Sequence, residues 1–251
     1  MLALMISVFL SSCPVQGDGT TRIIEEGGAG SYKAVAVTPR DCPGTTLYFP
    51  ADLKAAAAKT TLPLVLFEGE GGPKYEKYLN EIASFGYVVA DIGRADPGRA
   101  LEALKASEAL RDMPAGDLPL AVVSAAGPAT ALPPGDLRTV VYVHSSQPAP
   151  ALPVLYVAGG LDADAYLRIQ KDYDASDGHF AAVATYPAGA EGTFNDAFGG
   201  SYSMITLQWL EWLLKDKPWS RTIFTGEECI CFYTGWGIQY KNEDIVINDN
   251  Q

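Results

Sequence analysis

The sequence predicts a mostly parallel α/β fold in which one sheet is covered by helices on both faces. Three observations predict it. From about residue 45, short β-type runs alternate with stretches of helical periodicity, the pattern of strands joined by crossover helices. The β-type runs are rich in Val, Tyr, Ile and Phe with little polar alternation, so neither face of the sheet meets water. With 251 residues, 48% of them apolar, the chain has enough material for one large core and is read as one domain.

Taken in order, Met1 to Ser12 is an uncharged apolar run of the length of a signal-peptide core, followed by Cys13, Pro14 and small or polar residues. It predicts export, with a leader over residues 1–17 and the domain over 18–251. Leu10-Ser11-Ser12-Cys13 also resembles a lipobox, in which Cys13 carries a lipid anchor. Strands are predicted at Leu64–Phe67, Tyr87–Ile92, Leu118–Val123, Thr139–Val143, Val154–Ala158 and Ala181–Tyr186. Between the first two, Tyr75, Tyr78, Leu79, Ile82 and Phe85 recur at helical spacing, and Gly86 supplies a left-handed stop. Pro97 to Leu110 reads as a second helix, with Pro97 in its first turn. Ser203 to Leu214 reads as a third, with Leu207, Leu210, Leu213 and Leu214 on one stripe. Both are expected to pack on the surface of the sheet. The Pro/Ala-rich segment from Pro148 to Pro153 is a stiff connector within the domain.

Thirty acidic residues against eighteen basic ones give a formal charge of −12, a field that repels phosphate backbones, so nucleic acid is excluded as a partner. Beyond the N-terminal run no stretch approaches the roughly 20 apolar residues of a membrane span. Past Cys13 the cysteines are Cys42, Cys229 and Cys231, which allow one disulfide and one free thiol. The disulfide staples the C-terminal tail to the N-terminal region or to itself. A metal site at the Cys-x-Cys pair lacks partners, because His144 and His179 are the only histidines and both are distant in sequence. No metal or cofactor is expected.

In an open parallel sheet, ligands bind beyond the carboxyl ends of the strands. The residues that follow each strand are therefore the informative ones. Leu62 to Phe67, a Gly-rich turn, and a helix running through Glu81-Ile82-Ala83-Ser84-Phe85-Gly86 into Tyr87-Val88-Val89-Ala90 resemble the opening of dienelactone-hydrolase-like and polyester-hydrolase-like α/β hydrolases. Pro153 to Gly160 resembles that family's strand before the acid loop, Gly189 to Phe194 with Gly199-Gly200 its histidine loop, and Trp209 to Asp216 its closing helix. The tail with Cys229, Cys231 and Trp236 resembles its Cys-containing end. The resemblance covers residues 42 to 243 and implies the α/β-hydrolase fold, with an oxyanion-type turn after the first of these strands.

It also implies a Ser-His-Asp triad, and there the sequence departs from the family. The nucleophile elbow reads Ser124-Ala125-Ala126-Gly127, placing Ala125 at the serine position, where no nucleophile exists. Ala190 stands at the histidine position, and no histidine follows His179, so the general base is missing. The acid loop places Ala163 at the strict match, flanked by Asp162 and Asp164.

Ser124 reads either as a displaced nucleophile or as the cap of the following helix. His144, ending a strand beside Ser145 and Ser146, falls at the ligand-facing edge and reads either as a structural residue or as a relocated acid/base. His179, ahead of the last predicted strand, falls at the opposite edge. Glu68, Glu70, Asp162, Asp164, Glu191 and Asp196 all follow strand ends and predict an acidic rim. Gly71, Ala125, Ala190 and Tyr166 complete the expected binding residues.

Three functional readings stand. In the first, the protein is a secreted α/β-hydrolase-fold pseudoenzyme or binding protein for a cationic or neutral small molecule. In the second, it is a cyclase, isomerase or lyase using His144 and the rim carboxylates. In the third, it is an esterase with Ser124 as its nucleophile.

Overall fold

The computed structural model describes residues 20–23, 28–39, 42, 44–106, 118–125, 127, 132–148, 151–159, 163–187, 190–226, 229–232 and 235–243, with 20–23, 106 and 190–192 described in backbone only. The leader-like segment, Cys13, Ala126 and Asp162 lie outside the described residues.

Ten strands form one sheet: β1 (Thr20–Ile23), β2 (Ala34–Thr38), β3 (Thr46–Pro50), β4 (Leu64–Glu68), β5 (Val88–Gly93), β6 (Leu120–Ser124), β7 (Leu137–Val143), β8 (Val154–Gly159), β9 (Ala181–Tyr186) and β10 (Gly237–Lys241). The spatial order is β1-β2-β3-β5-β4-β6-β7-β8-β9-β10. The six strands from β5 across to β9 are parallel, while β1, β2 and β3 at one edge and β10 at the other pair antiparallel. All six strands predicted from apolar runs are present, and they are this parallel block.

The block is apolar on both faces because helices cover both. Along β4, Val65 and Phe67 join one core, and Leu64 and Leu66 join the other. The same parity holds along β6, where Ala121 and Val123 oppose Leu120 and Val122, and along β7, where Val141 and Val143 oppose Val140 and Tyr142. Helices α2 (Glu76–Ser84) and α6 (Gly200–Lys215) contribute Tyr78, Leu79, Ile82, Trp209 and Leu210 to the first core, and Phe194 joins it from α5 (Ala190–Asn195). Helices α1 (Leu53–Ala57), α3 (Pro97–Ala106) and α4 (Ala163–Asp174) contribute Ala56, Leu101, Leu104, Ile169 and Tyr173 to the second. A four-residue helix, α7 (Pro218–Arg221), follows α6.

Helix α6 departs from the expectation of a surface-packed helix. Its buried residues include Tyr202, Thr206, Trp209 and Glu211 as well as Leu207, Leu210 and Leu214 of the leucine stripe, so it lies sunk between the sheet and its neighbours. Trp209 is held there by its indole N–H, which donates to the Thr139 hydroxyl on β7 at 2.6 Å. The segment read as a histidine loop is the short helix α5, and the acid-loop match at Ala163 is the first residue of α4.

The topology fixes where a ligand can sit. From β4 the chain crosses through α2 to β5 on one side, then returns through α3 to β6 on the other side of β4. Crossovers leaving a strand in opposite directions open a crevice at its carboxyl end. Here that crevice lies above β4 and β6.

Candidate functional site

A cavity of about 190 Å³ occupies this position, lined by Glu70, Lys74, Tyr75, Ala125, Val143, His144 and Phe194. The turn after β4 supplies Glu70 and Lys74, the end of β6 supplies Ala125, the end of β7 supplies His144, and α5 supplies Phe194. Tyr75 and Phe194 meet edge to face at 4.9 Å and form an aromatic wall that continues into the core through Phe67 and Tyr78.

Ala125 forms part of the floor, and its N–H donates to the Glu68 carbonyl at 2.7 Å, prolonging the β4–β6 pairing. The described non-glycine residues with left-handed φ are His144, Phe198, Asp216 and Asn242, so Ala125 does not sit in the strained turn of a nucleophile elbow. Ser124 obeys the parity of β6 and belongs to the opposite face of the sheet. It is fully buried, and its hydroxyl donates to the Gly127 carbonyl at 3.0 Å. That bond stitches a turn, with the hydroxyl as donor, whereas an N-cap side chain accepts from a backbone N–H. The helix it was expected to cap lies outside the described residues.

His144 is held in an unusual backbone conformation. It follows β7 with φ at 55°, a region few non-glycine residues adopt and one that costs energy to hold. Its N–H is satisfied by the Val157 carbonyl at 2.9 Å, and its Nε2 lies 2.5 Å from the Tyr202 hydroxyl on α6. Burial pushes the Tyr202 phenol up to about 12, an effect partly offset by a hydrogen bond with Thr193. The phenol therefore stays protonated at neutral pH. Thr193, Tyr202 and His144 thus form a chain of polar groups from α5 to the cavity floor. Tyr202, Thr193 and the wall residue Phe194 were not identified from the sequence. The only sequence signals for them are the spacing of two residues between Gly200 and Tyr202 and the aromatic inside the histidine-type segment.

Of the six rim carboxylates, Glu68, Glu70, Asp164 and Asp196 have described side chains, and of these only Glu70 lines the cavity. Glu70 does line the cavity, but it is bridged by Lys74 at 2.5 Å and Arg94 at 3.3 Å, and the Lys74 ammonium holds its carboxyl below the ordinary range. Glu68 is 5% exposed and shares the opposite face with Ser124. Its carboxyl is raised by burial, an effect reduced by a hydrogen bond with Ser124, and one of its oxygens has no hydrogen-bond partner. Asp164, on α4, and Asp196, after α5, are exposed and do not line the cavity. Glu191 and Ala190 begin α5, with side chains outside the described set. Tyr166 packs against the second core and accepts a hydrogen bond from Gln239 of β10 at 3.2 Å, away from the cavity. Gly71 and Gly72 form the turn after β4 with φ of 72° and 92°. Among the described residues no cluster of His, Cys, Asp and Glu could hold a metal ion.

His179 sits at the opposite end of the sheet, 6% exposed, with its Nε2 unpartnered. Burial lowers its pKa below the usual 6.5. The unfolded chain therefore binds a proton more readily than the native one, so the stability due to neutral His179 is complete above about pH 6.5 and is lost as pH falls below it. Buried Glu81 and Asp91, raised by desolvation, slope the other way: their contribution is complete below the ordinary carboxylate range and fades as pH rises above it. Urea midpoints of His179→Gln and wild type, compared from pH 7 to pH 5, should shift steadily in the variant's favour as acid is added. A constant difference would show that His179 does not titrate between the two states.

No protein-family model matches this sequence, and no curated protein matches it either. Among the described residues no helix is long and apolar enough to cross a membrane.

Proposed function

We propose that this chain is an exported α/β-hydrolase-type domain that lacks the hydrolytic triad and binds a small neutral molecule in the cavity over Ala125. The observation that carries the reading is the identity of the floor: an alanine stands where a nucleophile is needed, at the crevice where this topology places ligands. The strand order, the cavity position and the resemblance of residues 42 to 243 support the α/β-hydrolase assignment. Ser124 supports no esterase reading, because a buried hydroxyl on the other face of the sheet reaches no substrate in this cavity.

Of the cationic and neutral ligands compatible with the sequence, the charge at the mouth favours the neutral one. Glu70 is already compensated by two cations, which removes the advantage of a third. The aromatic wall of Tyr75 and Phe194 suits a planar or aliphatic body, and the His144–Tyr202 pair sets a polar edge beside it for the ligand's head group. A second reading, acid/base chemistry on such a molecule, is favoured by the left-handed backbone of His144 and its link to Tyr202, since strained residues cluster at reactive sites.

The test has two parts. Short-chain p-nitrophenyl esters and a fluorophosphonate probe should give background turnover and no labelling, both for the wild type and for Ala125→Ser, which still lacks a base. In calorimetric titrations, benzyl alcohol should bind more tightly than benzylamine or benzoate, and His144→Ala should weaken it about tenfold, the loss of one hydrogen bond of about 1.4 kcal/mol. Labelling of Ser124, or a preference for benzylamine, overturns the reading.

A further inference from the structure

We propose that Cys229 and Cys231 form a thiol–disulfide exchange site that reacts with small thiols of the glutathione type through the sulfur of the exposed Cys231. The two are disulfide-bonded to each other across a single intervening residue, with Cα atoms 5.2 Å apart, and Cys42, the other described cysteine, is buried elsewhere. A staple stabilises in proportion to the logarithm of the loop it closes, and this loop is among the shortest a disulfide can close. The bond therefore does little for the fold. The strand that follows, β10, is held by its own pairing with β9, and Ile230 is anchored by its N–H to the Ile223 carbonyl at 2.9 Å. Neither attachment depends on the sulfurs.

The two cysteines differ in exposure. Cys229 is buried, whereas Cys231 is exposed beside Phe232, itself 75% exposed. An incoming thiolate therefore meets Cys231. Exchange rates also depend on how well the departing sulfur carries charge. The Cys231 backbone N–H donates to Cys229 Sγ at 3.2 Å, a bond that stabilises a thiolate on Cys229.

A thiolate attacks Cys231 Sγ, forming a mixed disulfide as the Cys229–Cys231 bond breaks and its electron pair leaves on Cys229. A second thiolate attacks the small-molecule sulfur of the mixed disulfide and releases Cys231 as thiolate. Protons from solvent complete two protein thiols. The protein disulfide is reduced, and two small thiols are oxidised to one disulfide.

The full chain is equilibrated in millimolar glutathione buffers without denaturant, quenched in acid, alkylated after unfolding and weighed intact. Two further alkylations are expected as the buffer becomes more reducing. A tenfold rise in the ratio of squared reduced to oxidised glutathione should raise the reduced-to-oxidised ratio of the pair tenfold, with unchanged circular dichroism. Persistence of the disulfide in millimolar reduced glutathione, or loss of structure on reduction, overturns the proposal. Oxidised glutathione should place one glutathionyl group on Cys231 of Cys229→Ser and none on Cys231→Ser. Equal labelling of the two variants overturns the assignment of Cys231 as the attacked sulfur.

Discussion

Lys215→Met is expected to destabilise the fold by about 3–5 kcal/mol, as removal of one partner from a buried ion pair does. Lys215 and Glu211 lie one turn apart on α6, 3.0 Å between charged atoms, with side chains only 6% and 11% exposed. The ammonium also donates to the Phe85 carbonyl at 2.7 Å and lies 3.9 Å from the centre of the Tyr87 ring. Tyr87 closes the cluster by donating to Glu211 Oε1 at 2.8 Å. Burial lowers the Lys215 pKa despite the neighbouring carboxylate, so desolvation outweighs the pair's attraction. The network still joins the end of α6 to the end of α2 and the start of β5, and without Lys215 the Glu211 charge is left buried without its cation. Glu211→Gln should cost a similar amount, and the double variant less than the sum of the two, because it leaves neither charge stranded. Strict additivity in guanidinium unfolding would show that the two residues act independently.

The parallel block was legible because each of its strands is an apolar run bounded by turn residues, and α2 because its apolar spacing is helical. Of the flanking strands, β2 (Ala-Val-Ala-Val-Thr) and β3 (Thr-Leu-Tyr-Phe-Pro) carry short apolar runs that were not predicted as strands, whereas β1 and β10 carry none. Gly237–Lys241, for instance, reads Gly-Ile-Gln-Tyr-Lys, and its partner β9 decides its fate. The cavity position and His144 followed from topology alone, which places the ends of parallel strands on one edge. Glu68 falls away from the cavity for an equally physical reason: a strand apolar on both faces does not reveal which parity faces which helix layer. Glu68 and Ser124 therefore gave no sign that they lie across the sheet from the cavity. The Glu70–Lys74 pair lies at four-residue spacing but was not read as a pair, and Arg94 reaches Glu70 only through the β4–β5 pairing. Tyr202, on α6, meets His144, just after β7, across 58 residues of chain, and no local pattern announces that. The Cys229–Cys231 bond matches the tail-to-itself alternative.

The second large effect is expected at Gly199, and Gly71 supplies its control because both have φ of 72°. At Gly71 an added Cβ meets nothing within 4 Å, so Gly71→Ala bears only the conformational cost of a left-handed alanine, about 1–2 kcal/mol. At Gly199 the same atom would stand 2.5 Å from the Cα of Tyr78, in the backbone of α2, which cannot move aside as a flexible side chain can. Overpacking of this kind adds about 1–3 kcal/mol, so Gly199→Ala should cost roughly twice what Gly71→Ala does. The consequence reaches the site. Gly199 caps α6, and three residues later Tyr202 meets His144, while Tyr78 holds the opposite side of the contact and packs on Phe194. Relief of the clash has to separate the start of α6 from α2, which draws the Tyr202 hydroxyl away from His144 Nε2 and loosens the aromatic wall. Gly199→Ala should therefore lose benzyl alcohol affinity along with stability, whereas Gly71→Ala should lose stability alone. Equal denaturation midpoints for the two variants would show that the α2–α6 approach is softer than 2.5 Å implies, and that the cavity does not depend on it.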